Sequence, residues 1–246
     1  LAFDSADRLS VHLFDPGLGR LIALWGFHND SFAAHLPDPG ALAALGRQRP
    51  SIAQVRVAGR QVSASNRAVA LDFGGYLKGV ALDRAAAQLK QAGFTNALIN
   101  IGGNVMALGS KGGQPWRVGI QHPRRPGPMA SLDLRDGEAI GTSGDYQRYF
   151  ELAGRRYSHL IDPRTSEPAV GTEAVTVLIP ARTDSGLWSD AASKPLFIAG
   201  NDWPAYAQRL GLTQVLRVAA DGRIQVTAAL GQRLQWDGQV SSETVP

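Results

Sequence analysis

The sequence of 246 residues contains no cysteine. Disulfide bonds, thiolate metal sites and a cysteine nucleophile are therefore excluded. The chain also lacks any run of the roughly 18 apolar residues that a membrane-spanning helix requires, so we expect no membrane span in it. Long runs of one charge are missing too, and lysine and arginine cluster only in short pairs such as Arg124-Arg125. This scatter indicates a solvated surface and no nucleic-acid partner.

The composition is that of a folded protein, with 44% hydrophobic and 19% charged residues. Such a chain can bury a sizeable core and is not disordered. Its formal net charge of +4 favours an anionic ligand such as a dinucleotide. The chain begins at Leu1 without a methionine or a signal peptide. We therefore expect either a processed product or an excised piece of a longer protein.

Hydrophobic periodicity and turn signals predict an α+β fold with mostly antiparallel sheets and packed helices, and not a doubly wound Rossmann sheet. A hairpin is expected around Asp221-Gly222, with strands at 215–218 and 224–227. The other predicted elements are helices at 41–45, 79–92, 186–199 and about 204–210, a hairpin of strands at 54–57 and 61–63, and strands at 68–73, 97–101 (a buried one), 116–121, 132–134, 139–142, 157–161 and 173–179.

The most informative stretch covers residues 157–165 and reads Tyr-Ser-His-Leu-Ile-Asp-Pro-Arg-Thr. Strand alternation would separate His159 from Leu160 and Asp162, which share the opposite face. A histidine at the end of a strand, beside a turn whose φ Pro163 fixes, suits a positioned general base. A strand histidine is more often structural, so the interpretation depends on the neighbouring segments. The other four histidines show no spacing typical of a metal site.

Three further segments are rich in glycine or hydroxyl side chains. Gly74-Gly75, followed by Lys78 and a helix, forms a plausible anion cradle or a plain strand-to-helix turn. It matches neither the Walker A spacing nor the dinucleotide fingerprint. Gly102-Gly103 is either a bulge or a close backbone approach to a ligand. The segment 142–145 is either a turn or a pocket wall.

Aromatic side chains offer a further possibility. Trp25, Phe27 and Trp116 could stack on the rings of a ligand, but buried aromatic residues usually belong to the core.

In this order, these segments resemble the ApbE family of FAD:protein FMN transferases. The resemblance covers roughly residues 10 to 235. The blocks that carry it are 13–16, 24–27, 72–79, 100–104, 115–120, 141–146, 157–165 and 189–200.

The resemblance implies one ApbE-like (T-fold-like) domain over residues 1–246, with a shortened N-terminal part. It implies His159 as the proton acceptor, with Asp162 positioning the histidine loop. It also implies Mg²⁺ at Asp190 and at the carbonyl of Gly75. The FAD contacts that it implies are Leu13, Phe14, Asp15, Asp72, Lys78, Gly102, Gly103, Thr142, Ser143, Gly144 and Leu160.

The implied activity is transfer of FMN from FAD to a serine or threonine hydroxyl of an acceptor protein, with release of AMP. The implied acceptors are flavoprotein subunits of electron-transfer complexes, and the implied location is the periplasm, with anchoring through a removed N-terminal segment as one option. Two alternatives stay open. The protein could bind FAD without catalysis, in cofactor delivery or assembly, or it could hydrolyse FAD to FMN and AMP.

One position departs from the family pattern. A threonine hydroxyl four residues after the metal-binding aspartate, one helical turn on, adds a ligand in the family. Here that residue is Lys194, and an ammonium group cannot coordinate Mg²⁺. Lys194 could pair with Asp190 or reach the FAD pyrophosphate. Alternatively, it points outward and Ser193 or another oxygen ligates the ion.

Overall fold

The computed structural model describes residues 12–29, 31, 33–238 and 240–245. The first residues of the chain, from which a processed or excised product was expected, lie outside this range. The chain divides into two compact units. The first comprises Leu1–Phe73 and Asp145–Val170, and the second comprises Gly74–Gly144 and Gly171–Pro246. The expectation of a single domain stays a prediction. None of the described helices has the length and apolar character needed to cross a membrane.

The elements of the described residues are numbered in chain order. The helices are α1 Gly19–Leu24, α2 Pro39–Gln48, α3 Leu77–Gln91, α4 Ser185–Ala191, α5 Ser193–Ala199, α6 Trp203–Arg209 and α7 Ala228–Gly231, with 3-10 turns at Ile52–Gln54 and Gly200–Asp202. The strands are β1 Val55–Ala58, β2 Gln61–Ala64, β3 Ala97–Ile101, β4 Asn104–Leu108, β5 Trp116–Gln121, β6 Pro128–Leu134, β7 Ala139–Gly144, β8 Tyr149–Leu152, β9 Arg155–Ser158, β10 Ile161–Asp162, β11 Glu167–Pro168, β12 Thr172–Ile179, β13 Val215–Ala219, β14 Ile224–Thr227, β15 Gln235–Trp236 and β16 Ser242–Val245.

Short antiparallel ribbons make up the strands of the first unit. β1 pairs with β2, β8 with β9, and β10 with β11. A two-stranded ribbon is marginal on its own and needs an apolar face to pack against. A buried cluster supplies that face, and it consists of Leu18, Leu21, Trp25, Phe27, Phe150, Tyr157 and Ile161.

The second unit contains a sheet of seven strands in the order β16-β14-β13-β12-β7-β4-β3. Its neighbouring strands are antiparallel except for β14 and β16, which are parallel. All eight residues of β12 are buried, as expected for a central strand covered on both faces. A second sheet has the order β15-β6-β5. The predicted α+β fold with mostly antiparallel sheets is confirmed, and so is the hairpin around Asp221-Gly222.

Two strand predictions in the first unit were wrong. Residues 68–73 form no strand. Ala70 makes a single parallel bridge to Leu18, and the pairing cannot continue because α1 begins at Gly19, directly after Leu18. Residues 157–161 are interrupted after Ser158. The ladder of β8 and β9 ends there, with the amide of His159 donating to the carbonyl of Arg148 at 3.0 Å. The chain then turns to pair β10 with β11, and this places His159 at the break.

Two predictions in the second unit need correction. Strand β3 lies at the edge of the sheet and is only half-buried, because β4 is its sole partner among the described strands. The helix predicted at 186–199 is two helices, α4 and α5, which meet at Ala192. Pro195 explains the break, since a proline lacks the N–H that a continuous helix needs. It is tolerated in a first turn, where the N–H groups have no helical partner.

Close backbone contacts fix α4 within the second unit. A Cβ atom at Gly79 in α3 would lie 2.3 Å from the carbonyl oxygen of Gly186 in α4. A Cβ atom at Gly141 in β7 would lie 2.4 Å from the carbonyl oxygen of Ser189. Both approaches are possible only without a side chain. Glycine therefore lets α4 pack closely against the helix and the strand beside it.

Replacing Gly79 by alanine should lower the free energy of unfolding by about 1–3 kcal/mol, because α3 and α4 would have to move apart. In an open helix the same change stabilises by roughly 0.5–1 kcal/mol. Gly231→Ala is the matched control, because its Cβ would meet nothing closer than Val226 Cγ1 at 3.5 Å. Urea unfolding compares the two variants. If Gly79→Ala were as stable as Gly231→Ala, the close contact would not constrain the helices.

Candidate functional site

His159 is oriented by the backbone of its own unit. Its Nδ1 atom lies 3.1 Å from the carbonyl oxygen of Arg148, which also accepts the His159 amide. A carbonyl oxygen only accepts hydrogen bonds, so Nδ1 carries the proton of the neutral ring. The lone pair is then on Nε2. This tautomer gives the histidine the basic nitrogen that a proton acceptor needs.

Aromatic residues pack around the histidine within the same unit. The ring of Phe27 meets that of His159 edge-on at 6.4 Å between centroids, and Trp25 stacks on Tyr157 at 5.8 Å. The indole of Trp25 donates to the carbonyl of Ser166 at 2.9 Å. Trp25 and Phe27 are buried. They therefore belong to the core, and their role is to hold the histidine segment in place.

Asp162 shapes the turn that follows the histidine. Its carboxylate accepts the amide of Arg164 at 2.9 Å and forms an ion pair with the Arg164 guanidinium at 2.7 Å. Its carbonyl oxygen accepts the amide of Ser166 at 2.8 Å. These bonds order the reversal between β10 and β11. The predicted role of Asp162 in positioning the loop stays a prediction, and these contacts support it.

Asp15 has a similar structural role in the first unit. Its Oδ1 accepts the amides of Gly17 at 2.7 Å and of Ile52 at 2.8 Å. The carboxylate therefore ties the early segment to the 3-10 turn at Ile52–Gln54.

The predicted site residues fall into both units. The first unit contains Leu13, Phe14, Asp15, Asp72, His159, Leu160 and Asp162. The second unit contains Gly75, Lys78, Gly102, Gly103, Thr142, Ser143, Gly144 and Asp190.

Asp190 is the centre of a polar cluster in the second unit. Its carboxylate is only 1% exposed, and Oδ2 accepts the amide of Gly79 in the first turn of α3 at 3.0 Å. Oδ1 forms an ion pair with Nζ of Lys194, and Nζ of Lys78 lies 3.9 Å from the same oxygen. A negative charge is favourable at a helix N-terminus and beside two ammonium groups.

These surroundings shift the ionisation of both partners. Burial alone would raise the pKa of Asp190, but the charges of Lys194 and Lys78 and the facing amide of Asn104 hold that pKa below its ordinary value. Burial lowers the pKa of Lys194, and the attraction of Asp190 offsets only part of this effect.

Lys78 is the accessible cation of the cluster, with 39% of its side chain exposed. Gly102 closes the turn between β3 and β4 beside it, and a Cβ atom there would lie 3.0 Å from Cδ of Lys78. Gly102 also has a φ of 57°, which favours glycine. The structure therefore brings the predicted residues Lys78, Gly102 and Asp190 together. Gly75 lies in the turn that precedes α3.

The side-chain hydroxyl groups of Thr142 and Ser143 in β7 make hydrogen bonds to other side chains of the second unit. Oγ1 of Thr142 lies 2.9 Å from that of Thr176, and Oγ of Ser143 lies 2.7 Å from that of Ser193. Ser193 in turn donates to the carbonyl of Asp190 at 2.8 Å. Ser143 is therefore connected to the Asp190 cluster through Ser193.

Comparison with known proteins identifies the family. A sequence model of the ApbE family matches residues 3–216. The chain belongs to the ApbE family. The FAD:protein FMN transferase of Rhodobacter capsulatus is 43% identical over 227 residues, which are 92% of this chain and 43% of that protein. A protein of the same name from Klebsiella pneumoniae is 35% identical over 71% of this chain and 51% of its own length. This ApbE-family chain spans about half the length of the curated relatives it matches.

Solved structures of the family share the fold. The ApbE protein of Thermotoga maritima superposes with a TM-score of 0.85 at 30% identity, covering 94% of this chain and 75% of that one. The apo form of the flavinyl transferase ApbE of Pseudomonas stutzeri gives a TM-score of 0.80 at 32% identity, covering 94% and 72%. The ApbE-like architecture expected from the sequence is thereby confirmed.

The surroundings of Asp190 do not fit the Mg²⁺ ion that ApbE membership implies. Magnesium requires several hard oxygen ligands, but the groups next to this carboxylate are N–H donors from Lys194, Lys78 and Gly79. No group of three or more histidine, cysteine or acidic side chains in the described part of the chain could hold a metal. The expectation of Mg²⁺ at Asp190 stays a prediction that these donors do not favour.

Sequence reasoning missed Asn104 as a member of this cluster. Asn104 is 1% exposed and lies near enough to Asp190 to lower the pKa of that carboxyl, although its Nδ2 atom makes no hydrogen bond of regular geometry to a described residue. The available signal was an amide at the start of an otherwise apolar strand, immediately after Gly102-Gly103.

Replacing Asp190 by asparagine should lower the free energy of unfolding by about 3–5 kcal/mol, because it leaves the buried ammonium of Lys194 without its counterion. Arg223→Met is the control, since it breaks the exposed ion pair between Arg223 and Asp221 and should leave the urea midpoint nearly unchanged. Equal midpoints for the two variants would show that the buried pair contributes no more than the exposed one.

The contribution of Asp190 to the free energy of unfolding should also depend on pH. A carboxyl group whose pKa is lower in the folded state than in the unfolded chain stabilises the fold only when it is ionised. The difference in stability between wild type and Asp190→Asn should be complete above the ordinary pKa of 3.8, and should shrink as the pH falls through the lowered folded-state pKa. Urea unfolding at about pH 7 and about pH 3 tests this. A difference that grows on acidification would contradict it.

Proposed function

We propose that this chain transfers FMN from FAD to a serine or threonine hydroxyl of an acceptor protein and releases AMP. Membership of the ApbE family supports the proposal, as do relatives named FAD:protein FMN transferase. The observation that carries it is the orientation of His159. The carbonyl of Arg148 accepts a hydrogen bond from Nδ1 of His159, so the basic nitrogen of the neutral ring is Nε2.

The proposed reaction is a substitution at the FMN-side phosphorus of FAD. The acceptor hydroxyl oxygen forms a bond to this phosphorus while His159 takes its proton. The bond from the phosphorus to the bridging oxygen breaks, and AMP leaves with that oxygen. A general base near neutral pH suits this task, since the unperturbed pKa of histidine is about 6.5.

Lys78 is the residue of the second unit that we assign to the pyrophosphate. Its side chain is 39% exposed, whereas that of Lys194 is only 7% exposed and is paired with Asp190. An ammonium group stabilises phosphate oxygens as negative charge moves onto the leaving group. Gly102 and Gly103 next to Lys78 leave room for a ligand, because both are exposed and neither carries a side chain.

Two other functions share these features. Non-catalytic binding of FAD is favoured by the buried ion pair, because Lys194 occupies the carboxylate of Asp190 that was expected to hold a metal ion. Hydrolysis of FAD to FMN and AMP would use the same histidine, with water in place of the acceptor hydroxyl. We assign the acceptor to flavoprotein subunits of electron-transfer complexes and the location to the periplasm, on the basis of the family resemblance alone.

One assay separates the three functions. The purified chain is incubated with FAD, with and without an acceptor domain, and AMP, free FMN and protein-bound flavin are quantified. Transfer predicts AMP and protein-bound flavin only when the acceptor is present. Hydrolysis predicts AMP and free FMN without it. Binding alone predicts a titratable FAD complex and no AMP.

Replacing His159 by glutamine should slow AMP release by roughly 10²–10⁴-fold, because the variant lacks the base that accepts the hydroxyl proton. FAD binding, measured by calorimetric titration, should be largely unchanged. His122→Gln is the control, since His122 follows strand β5 in the second unit and has no assigned role in the reaction. Turnover of His159→Gln at the rate of the control would show that the histidine is structural.

A further inference from the structure

Lys194 is an unusual lysine because it is buried. It is 5% exposed, and its Nζ donates both to Oδ1 and, at 2.7 Å, to the main-chain oxygen of Asp190. Lysine is almost never fully buried unless it is paired. One residue thus supplies both oxygens that hold the ammonium group.

The main-chain oxygen of Asp190 lies close to the junction of α4 and α5 at Ala192. It accepts from Ser193 Oγ at 2.8 Å and from Lys194 Nζ at 2.7 Å. Together with the carboxylate, this oxygen holds the ammonium group of Lys194 at Asp190 and away from solvent.

The remaining groups at Asp190 also suit an anion better than a metal ion. Lys78 Nζ and the amide of Gly79 are donors, and neither can coordinate a cation. Nδ2 of the buried Asn104 is a further donor, and it makes no hydrogen bond of regular geometry to a described residue. Ser193, the alternative oxygen ligand, already makes hydrogen bonds to Ser143 and to Asp190. A divalent cation would thus meet one carboxylate that two ammonium groups already face.

We propose that the ammonium of Lys194 is a built-in cation that takes the place of a divalent metal ion at Asp190, so that this site works without Mg²⁺. The metal-binding part of the proposal concerns only the second unit. The part that concerns turnover rests on the proposed transfer of FMN. The threonine that the family has at this position would provide an oxygen ligand and remove the competing charge.

Metal binding is tested with Mn²⁺ as a paramagnetic probe, titrated against the wild type and followed by electron paramagnetic resonance. The wild type should bind Mn²⁺ no better than Asp190→Asn. Lys194→Thr should gain one saturable site, at least about tenfold tighter, because an oxygen replaces the repelling charge. That site should disappear in the double variant Lys194→Thr/Asp190→Asn. Lys90→Thr is the control, since Lys90 is exposed near the end of α3, and it should behave as the wild type.

Two results would overturn the inference. One is a saturable Mn²⁺ site in the wild type that Asp190→Asn removes and Lys194→Thr does not tighten. The other is a folded Lys194→Thr variant, checked by circular dichroism, that gains no site. If that variant does not fold, wild-type AMP release decides. Rates that are equal in EDTA and in excess Mg²⁺ support the built-in cation, and strong activation by Mg²⁺ refutes it.

The two proposals fail in different ways. If no variant releases AMP under any condition, the proposed transfer of FMN is wrong, and the Mn²⁺ titration still decides the role of Lys194. If AMP and protein-bound flavin form only with Mg²⁺, the transfer stands and the built-in cation is wrong.

Discussion

The buried carboxylate of Asp190 is the interaction on which the second unit depends most. It joins the first turn of α3, through the amide of Gly79, to the first turn of α5, through Lys194. A charge so deeply buried is tolerated only when it is paired and hydrogen-bonded. The contacts of the cluster occupy both oxygens of the carboxylate, Oδ2 with the amide of Gly79 and Oδ1 with Lys194.

Packing around this cluster follows from the same constraint. The amide of Gly79 can reach Asp190 only because α3 and α4 approach at Gly79 and Gly186, where a side chain would clash with the opposing backbone. Asp83 adds to this contact by accepting the amides of Gly186 and Leu187, both at 2.8 Å. The small residues and the charges thus act together. Glycine brings the helices close, and the carboxylates satisfy the amides that the approach buries.

The first unit positions its candidate proton acceptor, His159, by a different means. His159 lies where the ladder of β8 and β9 ends, and the carbonyl of Arg148 accepts both its amide and its Nδ1 proton. Stacked aromatic rings in the same unit, among them Phe150 and Tyr157 at 5.0 Å between centroids, pack around this segment and add apolar contacts to these hydrogen bonds. A carbonyl acceptor at Nδ1 favours the tautomer of the neutral ring that carries the proton on this nitrogen. This property is what a proton acceptor requires.

The family, the α+β class and most of the candidate residues could be predicted from the amino-acid sequence, because they depend on contiguous motifs and on local periodicity. The sequence also showed that Lys194 stands where an oxygen ligand was expected, but it left the direction of that side chain open. The inward direction of Lys194, the place of Asn104 in the cluster and the end of the strand before His159 became visible only in the folded chain. These outcomes depend on groups far apart in the chain, such as Gly79 and Asp190, and on Pro195 breaking a helix whose apolar pattern continues. The periodicity of a sequence predicts which face of a helix or strand is buried. The partner of a buried charge depends on how separate elements pack, which periodicity does not contain.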